Sequence, residues 1–297
     1  MAEPPPDVAV GWLVDKAAGP TSHDVVAIIR RGLARRTRVG HTGTLDPFAT
    51  GLLVVLAGRA TRLVRYLSGL PKTYRATVQL GARSVTGDPE GPITPGGPVP
   101  SAGEVALAVE AVRGRQTQVT PAFSAVKVGG EPLYRRARRG EAVQGPVRDI
   151  EVFDIALEGY DPSRGEMVVR MRVSSGTYVR QIAVDLGERL GCGGYCAALR
   201  RLEVGDLRVE AAVAAEDAVA SPPVPLTRLL AHLPRLDVDD DQARRAGDGI
   251  ALAADGPDGD VALVRGDALV AVGERADGLV RPRVVLYGAA DAPAARA

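Results

Sequence analysis

The stretch Arg38-Val39-Gly40-His41-Thr42-Gly43-Thr44-Leu45-Asp46-Pro47-Phe48-Ala49-Thr50-Gly51 constrains the fold more than any other. Glycines at 40, 43 and 51 and a proline at 47 mark a loop. The loop runs into Leu52-Leu53-Val54-Val55-Leu56-Ala57, an unbroken apolar run of buried-strand length. Asp46 is the only carboxylate in the stretch, and His41, Thr42 and Thr44 stand close by. A rigid scaffold presents a reactive group in this way, on a loop tethered to a core strand. A Leu-Asp-Pro tripeptide also suits an Asx turn, with the aspartate bonding its own backbone. On the tripeptide alone both readings stand.

The whole block resembles the catalytic loop of the TruB-type tRNA pseudouridine synthases, a family related to dyskerin. The family pattern Gly-His-x-Gly-x-Leu-Asp-Pro-x-Ala-x-Gly is met at Gly40, His41, Gly43, Leu45, Asp46, Pro47, Ala49 and Gly51. Asp15-Lys16-Ala17-Ala18-Gly19-Pro20-Thr21-Ser22 is similar to the family's Asp-Lys-Pro-x-Gly-x-x-Ser, with Ala17 where proline is usual. Ser174-Ser175-Gly176-Thr177-Tyr178-Val179-Arg180 matches Ser-x-Gly-Thr-Tyr-Ile-Arg with valine for isoleucine, and Leu199-Arg200-Arg201-Leu202 follows. The segments Pro121–Lys127 and Leu133–Gly140 resemble Pro-x-x-Ser-Ala-x-Lys and Leu-Tyr-x-x-Ala-Arg-x-Gly.

Charge is near balance, at +1 over 297 residues, but unevenly placed. Residues 1–80 carry 11 Lys/Arg against 5 Asp/Glu, and residues 111–148 carry 8 against 2. Residues 236–297 carry 7 against 12. Two basic segments suit a polyanion. For Arg30, Arg31, Arg35, Arg36 and Arg38 a solvated helix face is an equal reading. Cys192 and Cys196 do not make a Cys-x-x-Cys pair, and with only His23, His41 and His232 the chain is expected to hold no metal. The start Met-Ala-Glu-Pro-Pro-Pro-Asp lacks the features of a signal peptide, and no apolar run approaches the ~18 residues that span a bilayer. A cytoplasmic location with free thiols is expected.

Val8 to Val14 reads as a strand, and Thr21-Ser22 caps a helix from about His23 to Gly32. Residues 60–70 read as a helix and Thr73–Leu80 as a half-buried strand with Tyr74, Ala76, Val78 and Leu80 on one face. Gly87–Gly103 reads as a surface loop. A helix opens at Ser101 or Gly103 and runs to Val112, and Pro132–Gly140 reads as a basic helix. Ile150–Leu157 and Glu166–Val173 read as strands, followed by a helix burying Val179, Ile182, Ala183 and Leu186. Ser221–Pro225 reads as a linker. Short strands follow at Ile250–Ala253, Val261–Val264, Ala268–Val272 and Val284–Tyr287.

The resemblance implies an α/β fold with a mixed, largely antiparallel sheet: a catalytic domain over 1–225 with a basic RNA-binding insertion near 115–148. A small β-rich, PUA-like domain would follow over 236–291. It implies isomerisation of uridine 55 in the T loop of tRNA, with no cofactor. The C1′–N1 bond breaks, the uracil turns, and C5 rejoins the sugar. Asp46 would act as nucleophile or base, at the sugar, the base or the C2′ proton. Arg180 would pair with Asp46; by sequence alone it is equally a surface arginine. Tyr74 would stack on the uracil, Tyr178 would hold it and Leu199 would pack beneath, though Tyr74 and Leu199 also suit a plain core. His41 would fill the space left by the extruded nucleotide. Lys16 would contact phosphate or support the catalytic loop, or be a surface lysine. Arg135, Arg136, Arg138 and Arg139, beside Tyr134, would grip the T arm through phosphates and stacking. The chain is expected to act alone on tRNA, as a monomer, without guide RNA, obligatory protein partner or membrane. Two rivals stand beside this reading: a tRNA-binding or folding protein, and a uracil-releasing glycosylase.

Overall fold

The structure is a computed structural model and describes residues 8–286. The chain opens with β1 (Ala9–Lys16) and α1 (Ser22–Arg31). Thr21 caps α1: its hydroxyl accepts from the Asp24 amide while the Asp24 carboxylate accepts from the Thr21 amide. This reciprocal pairing satisfies donors that a helix start otherwise leaves unpaired. β2 (Val39–His41) and β3 (Thr50–Gly58) bracket the Asp46 loop and pair antiparallel. Leu52 to Ala57 are completely buried, and each large side chain among them contributes about 1.5–3 kcal/mol by leaving water. The helix expected over 60–70 forms in two parts, a 3-10 turn at Arg59–Leu63 and α2 (Val64–Ser68).

β4 (Lys72–Leu80) buries Tyr74, Ala76, Val78 and Leu80, as the alternation predicts. The stretch read as a surface loop from Gly87 differs from that reading. It lies largely within a small hairpin, β5 (Ala82–Ser84) with β6 (Ile93–Pro95), and it buries Asp88. Next come α3 (Ala102–Glu110), capped by Ser101 and Glu104, and β7 (Gly114–Val119). In the basic segment β8 (Lys127–Val128) pairs with β9 (Glu131–Pro132), and α4 (Leu133–Arg138) is shorter than expected. Then follow β10 (Val147–Asp161), β11 (Glu166–Val173), α5 (Val179–Arg189) and β12 (Gly194–Val204). No strand is expected at β12, because register shifts at Cys196/Ala198 and Arg201/Glu203 break its two-residue period.

The C-terminal part holds β13 (Leu207–Arg208), α6 (Leu226–Leu229), β14 (Arg235–Asp237) and α7 (Asp240–Gly247). β15 (Leu252–Ala253), β16 (Gly259–Arg265), β17 (Ala268–Ala276) and β18 (Leu279–Val285) complete it. α7 is absent from the sequence reading. Its acidic first turn, capped by Asp239, and its basic last turn suit the helix dipole and account for a charge run that looks like a loop. The expectations at residues 1–7 and at Tyr287 to 291 lie outside the described residues.

The chain divides into two compact units. One comprises Asp46–Gly51 with Leu70–Val204. Its sheet has the order β12-β4-β11-β10-β7, antiparallel at every pairing, and Thr50 and Gly51 at the start of β3 pair parallel with Arg200 and Arg201 of β12. Gly51 has φ of 101°, and a side chain there would press into the backbone of Arg201, so only glycine permits this rung. The other unit holds the chain up to Leu45, Leu52–Gly69 and the chain from Gly205. There β1, β3 and α1 enclose a core of Trp12, Val14, Val25, Val26, Ile29 and Leu53. A second sheet, β14-β16-β17-β18-β15, has its own core on α7.

Candidate active site

Asp46 follows a firmly held residue. The Ser22 hydroxyl accepts from the Leu45 amide at 2.9 Å and donates to the Leu45 carbonyl at 3.2 Å. Beyond Asp46 the chain turns, with the Ala49 amide donating to the Asp46 carbonyl, and Thr50 Oγ1 donates to the Leu199 carbonyl on β12. The Asp46 side chain is 31% exposed. It is therefore reachable by a substrate.

Arg180 stands in the first turn of α5 and is 4% exposed. Its Nη2 lies 3.1 Å from Asp46 Oδ2 and donates to the Phe123 carbonyl at 2.9 Å. Its Nη1 lies 2.9 Å from Asp88 Oδ2 and donates to the Thr86 carbonyl at 2.8 Å. Nε is buried with no hydrogen-bond partner among the described residues. Only a planar fork with several donors meets two carboxylates and two carbonyls from one side chain. The surface reading of Arg180 is thus excluded in this structure, and the pairing with Asp46 is present.

Asp88 is the residue that sequence reasoning missed. It is 4% exposed, and its Oδ1 accepts from Thr86 Oγ1 at 2.5 Å and from the Glu90 amide at 3.1 Å. Gly87 beside it has φ of 75°, and a side chain there would crowd the Arg180 stem. The one signal in the sequence is the Thr-Gly-Asp turn chemistry at 86–88, common in loops of no special role. Gln118 of β7 was missed as well. It is 3% exposed, donates to the Tyr178 carbonyl at 3.0 Å and accepts from the Tyr178 amide at 2.8 Å. Tyr178 ends the approach to α5 with no side-chain cap of its own, so Gln118 fixes the start of the helix that carries Arg180.

Tyr74 and Leu199 lie on neighbouring strands, Leu199 in register with Ala76, and both are almost fully buried. The Tyr178 ring lies under the Arg148 guanidinium at 5.3 Å. Cys196 backs the same unit. Burial pushes its thiol up to about 12, the Asp46 and Asp88 carboxylates add to this, and Arg180 opposes it. A thiol so held stays protonated and is no nucleophile at neutral pH.

In the other unit, His41 meets His23 edge to face at 5.7 Å, and its Nδ1 accepts from the Gly43 amide at 3.2 Å. Lys16 is fully buried and donates to the Ala17 carbonyl at 2.9 Å. That corrects the surface alternative: Lys16 is buried, with its ammonium against the backbone of the next residue. The basic helix is also more self-contained than its composition implies. Arg139 pairs with Glu131 at 2.6 Å and with Glu141 at 2.7 Å, and Arg136 pairs with Glu141 at 2.8 Å. Arg135 and Arg138 instead gather about Tyr134, Arg138 at 5.6 Å from its ring.

A family model described as "TruB family pseudouridylate synthase (N terminal domain)" matches residues 30–179, and one described as "tRNA pseudouridylate synthase B C-terminal domain" matches residues 180–221. The chain belongs to the TruB family. Among TruB relatives, a tRNA pseudouridine synthase B of Thermobifida fusca is 43% identical over 93% of this chain and 98% of its own length. Proteins of the same name from Parasynechococcus marenigrum and Mycobacterium tuberculosis are each 40% identical, over 92% and 87% of this chain and 96% and 89% of their own lengths. In fold, this TruB-family chain is similar to a chain of a Cbf5-Nop10-Gar1 complex, with a TM-score of 0.73 at 25% identity over 95% of this chain and 86% of that one. A chain of an H/ACA RNP bound to a substrate RNA containing 2'-deoxyuridine gives a TM-score of 0.73 at 24% identity, over 96% of this chain and 87% of that one.

Proposed function

We propose that this chain converts uridine to pseudouridine in tRNA, at uridine 55 of the T loop, with Asp46 as the reacting carboxylate. The observation that carries the reading is the pair formed by Asp46 and Arg180: an accessible carboxylate held 3.1 Å from a buried guanidinium. Family membership supplies the reaction class. Isomerisation moves the glycosidic bond from N1 to C5 with no redox change, so a carboxylate near C1′ and C2′ suffices as nucleophile or base.

Further residues serve that step. Arg180 aims Asp46 and keeps it from turning away. Asp88 and the carbonyls of Thr86 and Phe123 fix Arg180 in turn. Tyr74 stacks on the extruded uracil and assists loss of the C5 proton. Leu199 packs beneath the base, and Tyr178 holds it. His41 takes the space the nucleotide leaves, which partly offsets a flipping cost of a few kcal/mol. Arg135, Arg136, Arg138 and Arg139 meet the T arm, with Glu131 and Glu141 displaced by phosphates. The PUA-like C-terminal sheet carries an acidic balance unsuited to strong phosphate contact. The substrate is tRNA alone, without guide RNA, and the enzyme acts in the cytoplasm as a monomer; among the described residues no helix is long and apolar enough to cross a membrane.

The test is tritium release from a T-arm stem-loop labelled at uridine C5. Wild type should release tritium with intact RNA and no free uracil, and Asp46→Asn should release none. Arg180→Lys keeps the charge but loses the fork and should lose most of the rate. Near-wild-type turnover in Asp46→Asn would refute the assignment, and free uracil would move the chain to the glycosylases.

A further inference from the structure

The first turn of α1 holds the Asp46 loop at two points. Ser22 is one holder, since its buried hydroxyl bonds both backbone groups of Leu45, the residue before Asp46. His23 is the other. Its ring meets the His41 ring with centroids 5.7 Å apart and planes at 89°. His41 closes β2 and opens the loop. Two successive residues of one helix thus grip the loop at its start and just before its carboxylate. All four of these residues lie in one unit.

The grip is set on both sides. The reciprocal bonds of Thr21 and Asp24 fix the start of α1 around Ser22 and His23. His41 is fixed at a second atom, because its Nδ1 accepts from the Gly43 amide at 3.2 Å. A neutral ring that accepts at Nδ1 carries its proton on Nε2. Turning the ring about its bond to Cβ would break the amide bond and the perpendicular contact together. The helix itself does not call for His23. The residue is exposed, and alanine is a better helix former than histidine. Its contact with His41 is what sets it apart.

A ring that replaces an extruded nucleotide must lie parallel to the bases flanking the gap, because stacking needs parallel planes. A perpendicular neighbour holds such a ring at a favoured aromatic geometry. We infer that His23 is a positioning residue: it fixes the plane of the His41 ring so that this ring takes the place of the extruded uridine. The inference rests on the role of His41 proposed above.

The experiment takes two readouts on the full chain, for wild type, His23→Ala, His23→Phe, His41→Ala and His23→Ala/His41→Ala. The first is the second-order single-turnover rate of tritium release from the labelled T-arm stem-loop. An edge-to-face ring pair corresponds to about threefold to tenfold, so His23→Ala should lose that much, and His23→Phe, which keeps a ring, should stay within about 1.5-fold of wild type. In the His41→Ala background, His23→Ala should cost nothing more, because its effect passes through the missing ring. Equal losses in both backgrounds would overturn the inference, as would a wild-type rate in His23→Ala or a His23→Phe as slow as His23→Ala. Should His23→Ala melt below wild type, the cycle still isolates the pair, since a general loss adds equally in both backgrounds.

The second readout is the side-chain nitrogen NMR spectrum of labelled histidine, a simple one in a chain with three histidines. At mildly alkaline pH, wild type should show His41 protonated at Nε2 and bare at Nδ1. In His23→Ala the two signals should move towards each other as the ring turns and the tautomers mix. Tritium release by wild type with unmoved His41 signals in His23→Ala removes the positioning role alone. Moved signals with no release by wild type keep the ring contact and remove the catalytic reading.

Discussion

Replacing Asp88 with asparagine tests how the site is held. Asparagine keeps the shape and the Oδ1 acceptor that takes the Thr86 hydroxyl and the Glu90 amide. The loss therefore falls on one contact, Oδ2 with Arg180 Nη1 at 2.9 Å, where an amide NH2 would face another donor. Removing one partner of a buried ion pair costs about 3–5 kcal/mol. Here Arg180 keeps Asp46 and two carbonyls, so it is not stranded, and a loss of about 2–3 kcal/mol is expected. For a chain of this size that lowers Tm by roughly 3–5 °C. Catalysis should suffer separately. With Asp88 neutral, the guanidinium turns its whole charge on Asp46 and holds it more tightly in the ground state. A further 1.4–2.7 kcal/mol of ground-state pairing corresponds to a rate about tenfold to a hundredfold lower. Single-turnover tritium release at saturating RNA reads the rate, thermal unfolding reads the stability, and RNA affinity should stay at the wild-type value because Asp88 is buried. A variant with wild-type Tm and wild-type single-turnover rate would refute the account of Asp88 as the second anchor of Arg180.

Three further outcomes follow from the same geometry. Gln118→Ala removes both bonds to the Tyr178 backbone, and should cost about 1–3 kcal/mol in unfolding and lower kcat more than it raises KM; a change in KM alone would place Gln118 in binding instead. Cys196, whose thiol burial pushes up to about 12, should resist alkylation in the native enzyme at pH 8 and react only on unfolding. Because the folded state holds that proton while the unfolded thiol titrates near 9, this group should erode stability as pH rises from about 9 towards 12, which melts at stepped pH for wild type and Cys196→Ala would show. Glu141→Gln frees Arg136, leaves Arg139 with Glu131 alone, and should tighten RNA binding at low salt about twofold to threefold; weaker binding would show that the carboxylate orders the helix for RNA.

Local patterns made much of this fold legible in sequence. The Thr21 capping box, the apolar run from Leu52 and the alternation through Tyr74 to Leu80 each declare their element within a few residues. The Asp46 loop and the Arg180 helix were likewise found from contiguous motifs. What escaped depends on partners far away in the chain. Gln118 is unremarkable until β7 lies beside the start of α5, and Asp88 until its loop folds over Arg180. β12 hides because its bulges break the alternation, and α7 because its capping acids read as a charge run. The basic segment shows the limit of counting charge: 8 against 2 is correct as a sum, yet the two carboxylates, Glu131 and Glu141, sit on the arginines that mattered.

The division of the chain sets an order of events in synthesis. Asp46–Gly51 leaves the ribosome early, but its unit is otherwise Leu70–Val204. Arg180 emerges long after Asp46, and the β12 rung that receives Thr50 and Gly51 is completed only near Val204. Until then the aspartate loop has neither its ion-pair partner nor its neighbouring strand. A nascent chain stalled before α5 therefore carries Asp46 with neither the guanidinium that pairs with it nor the strand that holds the end of its loop.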